Sequence, residues 1–322
     1  MLKLKLFKTI FLYFYNKMGS NVNTNTSVNI IENFLTQQCS MISQYHMKYP
    51  KKLIKTNNYA VIVEPRSDHK LLEAICRNVM YFLPYDWNLV VYSYDINVVK
   101  ERLKNIDFIF CKTEKPTFTL EEYSSLLMSK PFWNNIPGEN ILIFQTDSYI
   151  TRHFTHEYFY GIKQYPFVGA VYRIVNNKSN CACCPGYEKC NKNIISIHRE
   201  RNFSMNGGFS FRNKTAMIDC IEKITINDII EYRLNHGLEI HNLIQYEDTY
   251  FEDALFLLKY KLPNYNTCLR FCTQTMYEPI NSYAIHGLYK DYVCHNYIFH
   301  LRPSLVEINE EISEKLSSEI KL

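Results

Sequence analysis

The stretch Glu139-Asn-Ile-Leu-Ile-Phe-Gln-Thr-Asp-Ser148 decides the fold of this chain. Its centre is the apolar run from Ile141 to Phe144, which is typical of a parallel strand buried on both faces. Polar residues begin where this strand ends. Because ligands bind outside the carboxyl ends of strands in an open α/β sheet, Asp147 is predicted to lie at a binding site. Thr146-Asp147-Ser148 could instead cap the following helix or turn.

Other apolar runs predict further strands that alternate with helices. Ala60 to Val63, Leu89 to Tyr92 and Ile106 to Phe110 are predicted strands before the central one, and Phe167 to Tyr172 follows it. Apolar residues recur every three or four positions over 72–82, which predicts a helix between the first two strands. This order predicts an α/β fold of Rossmann-like type, with a mainly parallel central sheet and flanking helices.

The chain is predicted to contain a single main domain with an extension at each end. Residues 1–56 are interpreted as an N-terminal tail and a peripheral helix, residues 57–303 as the main domain, and residues 304–322 as a C-terminal helix. Within the main domain, Asn264 to Met276 is expected to be an irregular stretch or an edge strand.

Composition narrows the functional classes. Hydrophobic residues make up 47% and charged residues 21% of the 322 residues, as in a soluble globular protein. The net charge of +4 comes from scattered basic residues, so nucleic acid is not the expected partner. Met1 to Tyr15 mixes lysines with apolar residues and could be a signal sequence, a peripheral membrane contact or a tail. A cytoplasmic location is expected, with membrane association or the secretory pathway as alternatives.

Two motifs after the central strand have recognisable structural signatures. The paired glycines Gly207 and Gly208 permit positive φ and a close approach of the backbone to a ligand, although a tight turn would also explain them. Further on, Thr249 and Glu252 have the spacing of a capping box, which predicts a structural role for Glu252.

The acids around that capping box are predicted to have different roles. Asp253 is predicted to face solvent, whereas Glu247 and Asp248 are predicted to lie in the loop before the helix. The helix N-terminus favours an ionised acid there, as a general base requires. Asp248 could instead be the helix cap.

Four of the eleven cysteines lie in the stretch Cys181-Ala-Cys-Cys-Pro-Gly-Tyr-Glu-Lys-Cys190. Cys181 and Cys184 have C-x-x-C spacing, and Cys190 and His198 could complete a structural Zn²⁺ site. A local disulfide and a loop of reduced thiols are the alternatives, and reduced thiols are favoured because no second C-x-x-C pair exists.

Several motifs occur together in a familiar order. They are Val61-Ile-Val-Glu-Pro-Arg66, Phe132-Trp133, Ile141-Leu-Ile-Phe-Gln-Thr-Asp-Ser148, Phe167-Val-Gly-Ala170, Asn206-Gly-Gly-Phe-Ser-Phe-Arg212, Glu247-Asp248 and Ile285-His-Gly287. Over about residues 59–300 the chain resembles a glycosyltransferase-like domain-of-unknown-function family with GT-A type motifs. The resemblance implies a GT-A-like fold, a nucleotide-sugar donor (UDP-sugar first), a glycan or protein acceptor, and a divalent cation, Mn²⁺ or Mg²⁺.

The resemblance also implies roles for individual residues. Asp147 and His286 would bind the metal and should therefore lie close together, and Asp248, with Glu247 as the alternative, would deprotonate the acceptor. The implied donor-binding residues are Glu64, Arg66, Gln145, Thr146, Asp147, Gly207, Gly208 and Arg212. Arg66 and Arg212 could instead form surface or interstrand salt bridges.

Gln145 departs from the GT-A pattern, because it stands where the first acid of an Asp-x-Asp motif would be. A neutral amide attracts a hard cation less strongly than a carboxylate does. The expected function is therefore a glycosyltransferase, with inversion favoured. A nucleotide- or glycan-binding module without turnover is the alternative, and a zinc-stabilised interaction protein is the third hypothesis.

Overall fold

The computed structural model describes residues 24–173, 203–237, 240, 246–274 and 282–287. These residues form a single mixed α/β domain built on one curled sheet of nine strands. The strands are β1 (Asn58–Val63), β2 (Trp87–Ser93), β3 (Phe108–Lys112), β4 (Asn140–Phe144), β5 (Tyr149–Ile150), β6 (Phe167–Arg173), β7 (Phe203–Asn213), β8 (Cys272–Thr273) and β9 (Ala284–Ile285). Their order in the sheet is β3-β2-β1-β4-β7-β6-β8-β9-β5.

Ten helices in the described part of the chain surround this sheet. They are α1 (Thr24–Lys48), α2 (Leu72–Phe82), α3 (Ile96–Arg102), α4 (Leu120–Leu127), α5 (Lys130–Asn134), α6 (His156–Ile162), α7 (Lys214–Lys223), α8 (Ile226–Asn235), α9 (Glu247–Leu257) and α10 (Tyr265–Phe271). Within the described ranges, no helix has the length and apolar character needed to cross a membrane.

One half of the sheet is parallel. Strand β1 lies between β2 and β4, and β2 pairs with β3, all in parallel register. Every residue of β1 and β2 is buried, and so are Ile141 to Phe144 of β4. The apolar runs in the sequence arise because both faces of these strands are buried. The carboxyl ends of β1, β2 and β4 therefore meet at one edge of the sheet.

The other half of the sheet contains pairs of both directions, since β8 is parallel to both β6 and β9. Strand β7 is antiparallel to both β4 and β6, and β5 is antiparallel to β9. The sheet is therefore mixed. This half also collects the two-residue strands β5, β8 and β9 from distant parts of the chain.

Helix α1 is the predicted peripheral helix, and it packs on α2. Its Leu35 and Ile42 side chains are buried in the domain core. The predicted domain limits stay predictions, because residues 1–23 and the predicted C-terminal helix over 304–322 lie outside the described residues.

Two expectations about the later helices are wrong. Helix α9 begins at Glu247 after Tyr246, so Thr249 and Glu252 do not form a capping box. Glu252 is nevertheless structural, because its Oε2 accepts a hydrogen bond from the Met205 backbone N–H at 3.1 Å. Asp253 is buried, not solvent-facing, and pairs with Arg233 at 2.7 Å.

The region 264–276 also differs from the expected irregular stretch. Helix α10 and strand β8 occupy its described part, and the Asn264 side chain caps the helix by accepting from the Thr267 N–H. An asparagine N-cap before a short apolar segment is a recognised helix start signal.

Candidate functional site

The turn after β4 brings polar side chains to the carboxyl edge of the parallel strands. The Ser148 N–H donates to the Gln145 carbonyl at 3.0 Å, which closes the turn. The Ser148 hydroxyl donates to the Gly208 carbonyl at 3.1 Å and so ties the turn to β7. Gln145, Thr146 and Asp147 are half-buried in this turn, as expected for groups that face a binding site.

His286 reaches the same edge from the far end of the sequence. It follows β9, and its backbone N–H donates to the Thr273 carbonyl of neighbouring β8 at 3.0 Å. Gly287 follows with φ +76°, a left-handed conformation that favours glycine. Strands β8 and β9 are parallel, so Gln274, the residue after β8, comes to lie beside His286.

Three side chains converge on the His286 ring. Nδ1 lies 3.1 Å from Gln274 Oε1. Nε2 lies 3.2 Å from Gln145 Oε1 and 3.3 Å from Asp147 Oδ1. The predicted approach of Asp147 and His286 is therefore present in the fold, whereas their role in metal binding stays a prediction.

The two ring nitrogens of His286 have different surroundings. When Nδ1 carries the proton shared with Gln274, Nε2 presents a lone pair to two oxygens. A proton on Nε2 or a cation between the three atoms stabilises that arrangement. His286 is almost fully buried, whereas the Asp147 side chain keeps 31% of its surface exposed, so the trio of Gln145, Asp147 and His286 opens to solvent on the Asp147 side.

The glycine pair lies inside strand β7, so the tight-turn alternative is wrong. Neither glycine has positive φ. The register with β6 shifts at this point, since Gly169 faces Ser210 while Ala170 faces Asn206. This irregularity leaves the glycine pair without a partner in β6. Such irregularities often occur next to active sites, where they redirect the backbone.

Gly208 is required because the side chains of His286 and Gln145 approach its backbone closely. A Cβ at this position would lie 2.1 Å from His286 Nε2 and 2.5 Å from Gln145 Oε1. Only a glycine therefore lets both side chains approach the backbone this closely.

Gly207 covers a buried ion pair. A Cβ at this position would lie 2.2 Å from Glu247 Oε1 and 2.4 Å from an Arg212 terminal nitrogen. Arg212 NH1 lies 2.6 Å from Glu247 Oε2, and the guanidinium also contacts the Phe167 and Phe251 rings. Burial raises the pKa of Glu247 and Asp248 adds to this effect, while Arg212 opposes it.

The predicted contact of Arg212 with donor phosphates is not available from this position. The Arg212 side chain is fully buried, and its charge faces Glu247. The salt-bridge alternative describes the observed contacts of Arg212. Glu247 is likewise committed to the ion pair, which makes it a poor candidate for a base that meets an acceptor.

Asp248 is half-buried in the first turn of α9, not in a loop before it and not at the cap position. Its Oδ2 accepts from the Gly207 N–H at 3.2 Å and from Asn206 Nδ2 at 3.3 Å. Its Oδ1 accepts from the Thr249 N–H at 2.8 Å. These donors fix the carboxylate beside the glycine pair.

Glu64 and Arg66 form a local pair at the end of β1. Arg66 donates from Nε to Glu64 Oε1 and from NH2 to Glu64 Oε2, both at 2.7 Å. Half of the Arg66 side chain remains exposed, whereas Glu64 is buried. Arg66 can therefore still meet a ligand at the carboxyl edge, with its orientation set by Glu64.

The sequence did not identify three residues of this site. Gln274 orients His286, and Asn206 donates to Asp248 and accepts from the Gly208 N–H at 2.7 Å. Tyr123 of α4 is the third, because its hydroxyl lies near Gln145, Asp147 and Glu247; burial and the Glu247 carboxylate raise its pKa. Only Asn206 carried a signal, since it directly precedes the glycine pair.

The predicted zinc ligands Cys181, Cys184, Cys190 and His198 lie outside the described residues. Among the residues that are described, no group of three or more His, Cys, Asp and Glu side chains is arranged to hold a metal ion. The trio at Gly208 differs from such a group because its third member is the amide oxygen of Gln145.

One protein-family model matches the sequence of the chain. The family described as "Protein of unknown function (DUF5672)" matches residues 105–288, which is more than half of the chain. No curated protein matches the chain. The matched range contains β4, the glycine pair, the first turn of α9 and His286. The chain belongs to the DUF5672 family.

Proposed function

We propose that this protein is an inverting glycosyltransferase of GT-A-like fold that moves a sugar from a nucleotide-sugar donor, UDP-sugar first, to a hydroxyl of a glycan or protein acceptor. One observation carries the proposal. Gln145 and His286 pack against Gly208, and Asp147 shares His286 Nε2 with Gln145. Asp248 accepts from the N–H of adjacent Gly207, so the proposed phosphate-side and acceptor-side groups lie on either side of the glycine pair.

The trio fits a divalent cation. Neighbouring ligands of an octahedral Mg²⁺ ion lie about 3 Å apart, because its bonds are about 2.1 Å long. The 3.2 and 3.3 Å separations from His286 Nε2 to Gln145 and Asp147 match this spacing. The Gln274 contact at Nδ1 is the kind of second contact that orients a metal-binding histidine. When bound, Mg²⁺ or Mn²⁺ would neutralise the charge of a departing diphosphate.

Residues of the chain carry out the proton transfer and hold the reacting groups in the proposed reaction. In the proposed transfer, the bond from the anomeric carbon to the diphosphate oxygen breaks, and the oxygen keeps the electron pair. The acceptor oxygen bonds to that carbon and gives its proton to the Asp248 carboxylate. Donors from Asn206, Gly207 and Thr249 hold Asp248 in place for this role. In the proposed transfer, Arg66 binds the nucleotide, and the exposed half of its side chain supports this role.

Gln145 gives a specific reason to keep a second candidate function. Its neutral amide holds the cation less strongly than a second carboxylate would. A nucleotide- or glycan-binding module on the same fold, without turnover, would tolerate that loss.

A donor panel separates the two functions. The purified protein is incubated with UDP- and GDP-sugars, with Mn²⁺ or Mg²⁺ and with candidate glycan acceptors, while nucleotide release and binding are measured. Release of UDP or GDP that depends on Asp248 supports the transferase. Binding without release supports the module. The absence of both binding and release contradicts both functions.

A further inference from the structure

The hydroxyl of Tyr123 is a buried polar group beside the glycine-pair site. Tyr123 belongs to α4, which packs on α9, and its ring lies against the core. The hydroxyl oxygen is buried, and within the described part of the chain it makes no hydrogen bond of standard length and geometry. Buried hydroxyls in native proteins nearly always have a partner, because an unpaired one is costly. Packing alone does not require this hydroxyl, since a phenylalanine ring would fill the same space.

The neighbours of this hydroxyl come from two parts of the site. Gln145 and Asp147 approach it from the turn after β4, and Glu247 approaches it from the first turn of α9. Burial, together with the nearby Glu247 carboxylate, raises the pKa of the Tyr123 hydroxyl far above its usual range. Tyr123 therefore keeps its proton. Its hydroxyl can donate one hydrogen bond while its lone pairs accept others.

The charges around the hydroxyl set its direction. An ionised carboxylate accepts hydrogen bonds but cannot donate them, so Glu247 and Asp147 both attract the hydroxyl proton. The lone pairs of the hydroxyl oxygen are left for Gln145. Its side chain ends in an amide with a donor nitrogen and an acceptor oxygen, and only the nitrogen can donate to Tyr123.

The opposite end of the same amide meets His286. Gln145 Oε1 lies 3.2 Å from His286 Nε2, and it lies so near the backbone that a Cβ on Gly208 would come within 2.5 Å of it. A reversed amide would instead point its NH2 group at the histidine lone pair. Amide hydrogens repel a cation, whereas an amide oxygen can bind one. The orientation of Gln145 therefore decides whether the trio of Gln145, Asp147 and His286 can hold Mg²⁺ or Mn²⁺.

We propose that Tyr123 is a positioning residue for this cation site, whose hydroxyl accepts a hydrogen bond from Gln145 Nε2 and so holds Gln145 Oε1 toward His286. This role rests on the cation site of the proposed function. It adds the residue that lets a neutral amide serve where a second carboxylate would need no such support. It also gives the buried hydroxyl a partner, and thus a reason for a tyrosine at this position.

Calorimetric titration of the full chain with Mn²⁺ tests this role. The wild type is compared with Tyr123→Phe, which removes only the hydroxyl, and with the matched control Tyr158→Phe. Tyr158 of α6 also has a buried hydroxyl without a hydrogen bond to a described residue, but its ring packs on Tyr283, ahead of β9. We expect Mn²⁺ affinity to fall roughly tenfold or more in Tyr123→Phe and to keep the wild-type value in Tyr158→Phe. Both variants should melt at about the wild-type temperature.

A second background separates the orientation of Gln145 from packing. In Gln145→Glu the side chain ends in two equivalent oxygens and needs no orientation, so adding Tyr123→Phe should change Mn²⁺ affinity little. An equal loss of affinity in both backgrounds overturns the role of Tyr123. Unchanged affinity in Tyr123→Phe, with Mn²⁺ bound by the wild type, also overturns it but leaves the proposed cation site standing. A wild type that binds no Mn²⁺ overturns the cation site itself, and the role of Tyr123 with it.

Discussion

The two sides of the glycine pair hold acidic side chains in opposite environments. On the Gly208 side, Asp147 is partly exposed and shares a histidine nitrogen with an amide oxygen. On the Gly207 side, Glu247 is buried and locked to Arg212. Ligand binding requires a group that can change partners, whereas a buried ion pair resists such a change because an isolated buried charge is costly. The difference separates a candidate binding group from a structural one.

Adjacent residues fall on either side of this division. Glu247 and its neighbour Asp248 both lie in the first turn of α9, yet only Asp248 is half-exposed and bound by neutral donors. The position of a carboxylate relative to Gly207, and not its place in the sequence motif, therefore decides its expected role.

The largest expected effect is on turnover. Asp248→Asn keeps the size and most hydrogen bonds of the side chain but removes the proton acceptor. We expect transfer to fall by roughly 10²–10⁴-fold with donor affinity and melting temperature little changed. Steady-state rates and donor titration of the same preparation measure this. Normal turnover in Asp248→Asn, with loss in a folded Glu247→Gln variant, would reverse the assignment of the two acids.

The next effect is on folding. Arg212→Met leaves Glu247 buried without its partner, so the free energy of unfolding should fall by about 3–5 kcal/mol. The matched double variant Arg212→Met/Glu247→Leu should recover part of this loss. Urea denaturation provides the measurement. If Arg212→Met were as stable as the wild type but bound no donor, Arg212 would contact the donor directly.

The second buried ion pair, between Asp253 and Arg233, should make the stability of the protein depend on pH. Burial raises the pKa of Asp253 from 3.8 to about 6, although Arg233 opposes the shift. The native state therefore favours the protonated acid. Protonated Asp253 therefore adds on the order of 3 kcal/mol to the free energy of unfolding below about pH 4, and this contribution is lost as the pH rises through 6.

Unfolding of the wild type and Asp253→Asn at pH 4 and pH 7 measures this change. The wild type should lose stability relative to the variant at the higher pH. The same difference at both pH values would show that Asp253 has an ordinary pKa.

A smaller effect is expected when a side-chain atom is added at Gly208, beside the trio of Gln145, Asp147 and His286. The Cβ of Gly208→Ala meets His286 Nε2 and Gln145 Oε1, so both must move. We expect divalent-cation affinity to fall by roughly 10–100-fold, as when the support of a metal ligand is lost. Calorimetric titration with Mn²⁺ tests this, and Gly161→Ala is the matched control because its Cβ would meet nothing within 4 Å. Unchanged affinity in Gly208→Ala would place the cation elsewhere.

The parallel half of the sheet was predictable because its signals are local. Buried strands such as β1, β2 and β4 are continuous apolar runs, and α2 has apolar residues at helical spacing. The polar turn after β4 follows directly from the end of such a run. These features depend on burial by neighbouring helices, which selects residue types one position at a time.

The rest of the site was not predictable for two physical reasons. Strands β8 and β9 have two residues each, too few for a period, and long-range pairing places them. Buried charges are also misleading in sequence, because Asp253 looks like a surface residue until Arg233 folds against it. The position of Gln274 beside His286 depends on both long-range pairings and carried no sequence signal.

Titration with UDP tests directly whether the glycine-pair site binds the diphosphate of a nucleotide-sugar through a cation. UDP is titrated into the wild type with Mn²⁺ and with EDTA, and into His286→Ala and the control His156→Ala, whose histidine is exposed on α6. We expect binding that needs Mn²⁺, falls at least about tenfold in His286→Ala and is unchanged in His156→Ala. UDP affinity that is equal in EDTA and in His286→Ala, or the absence of UDP and GDP binding under all conditions, would contradict it.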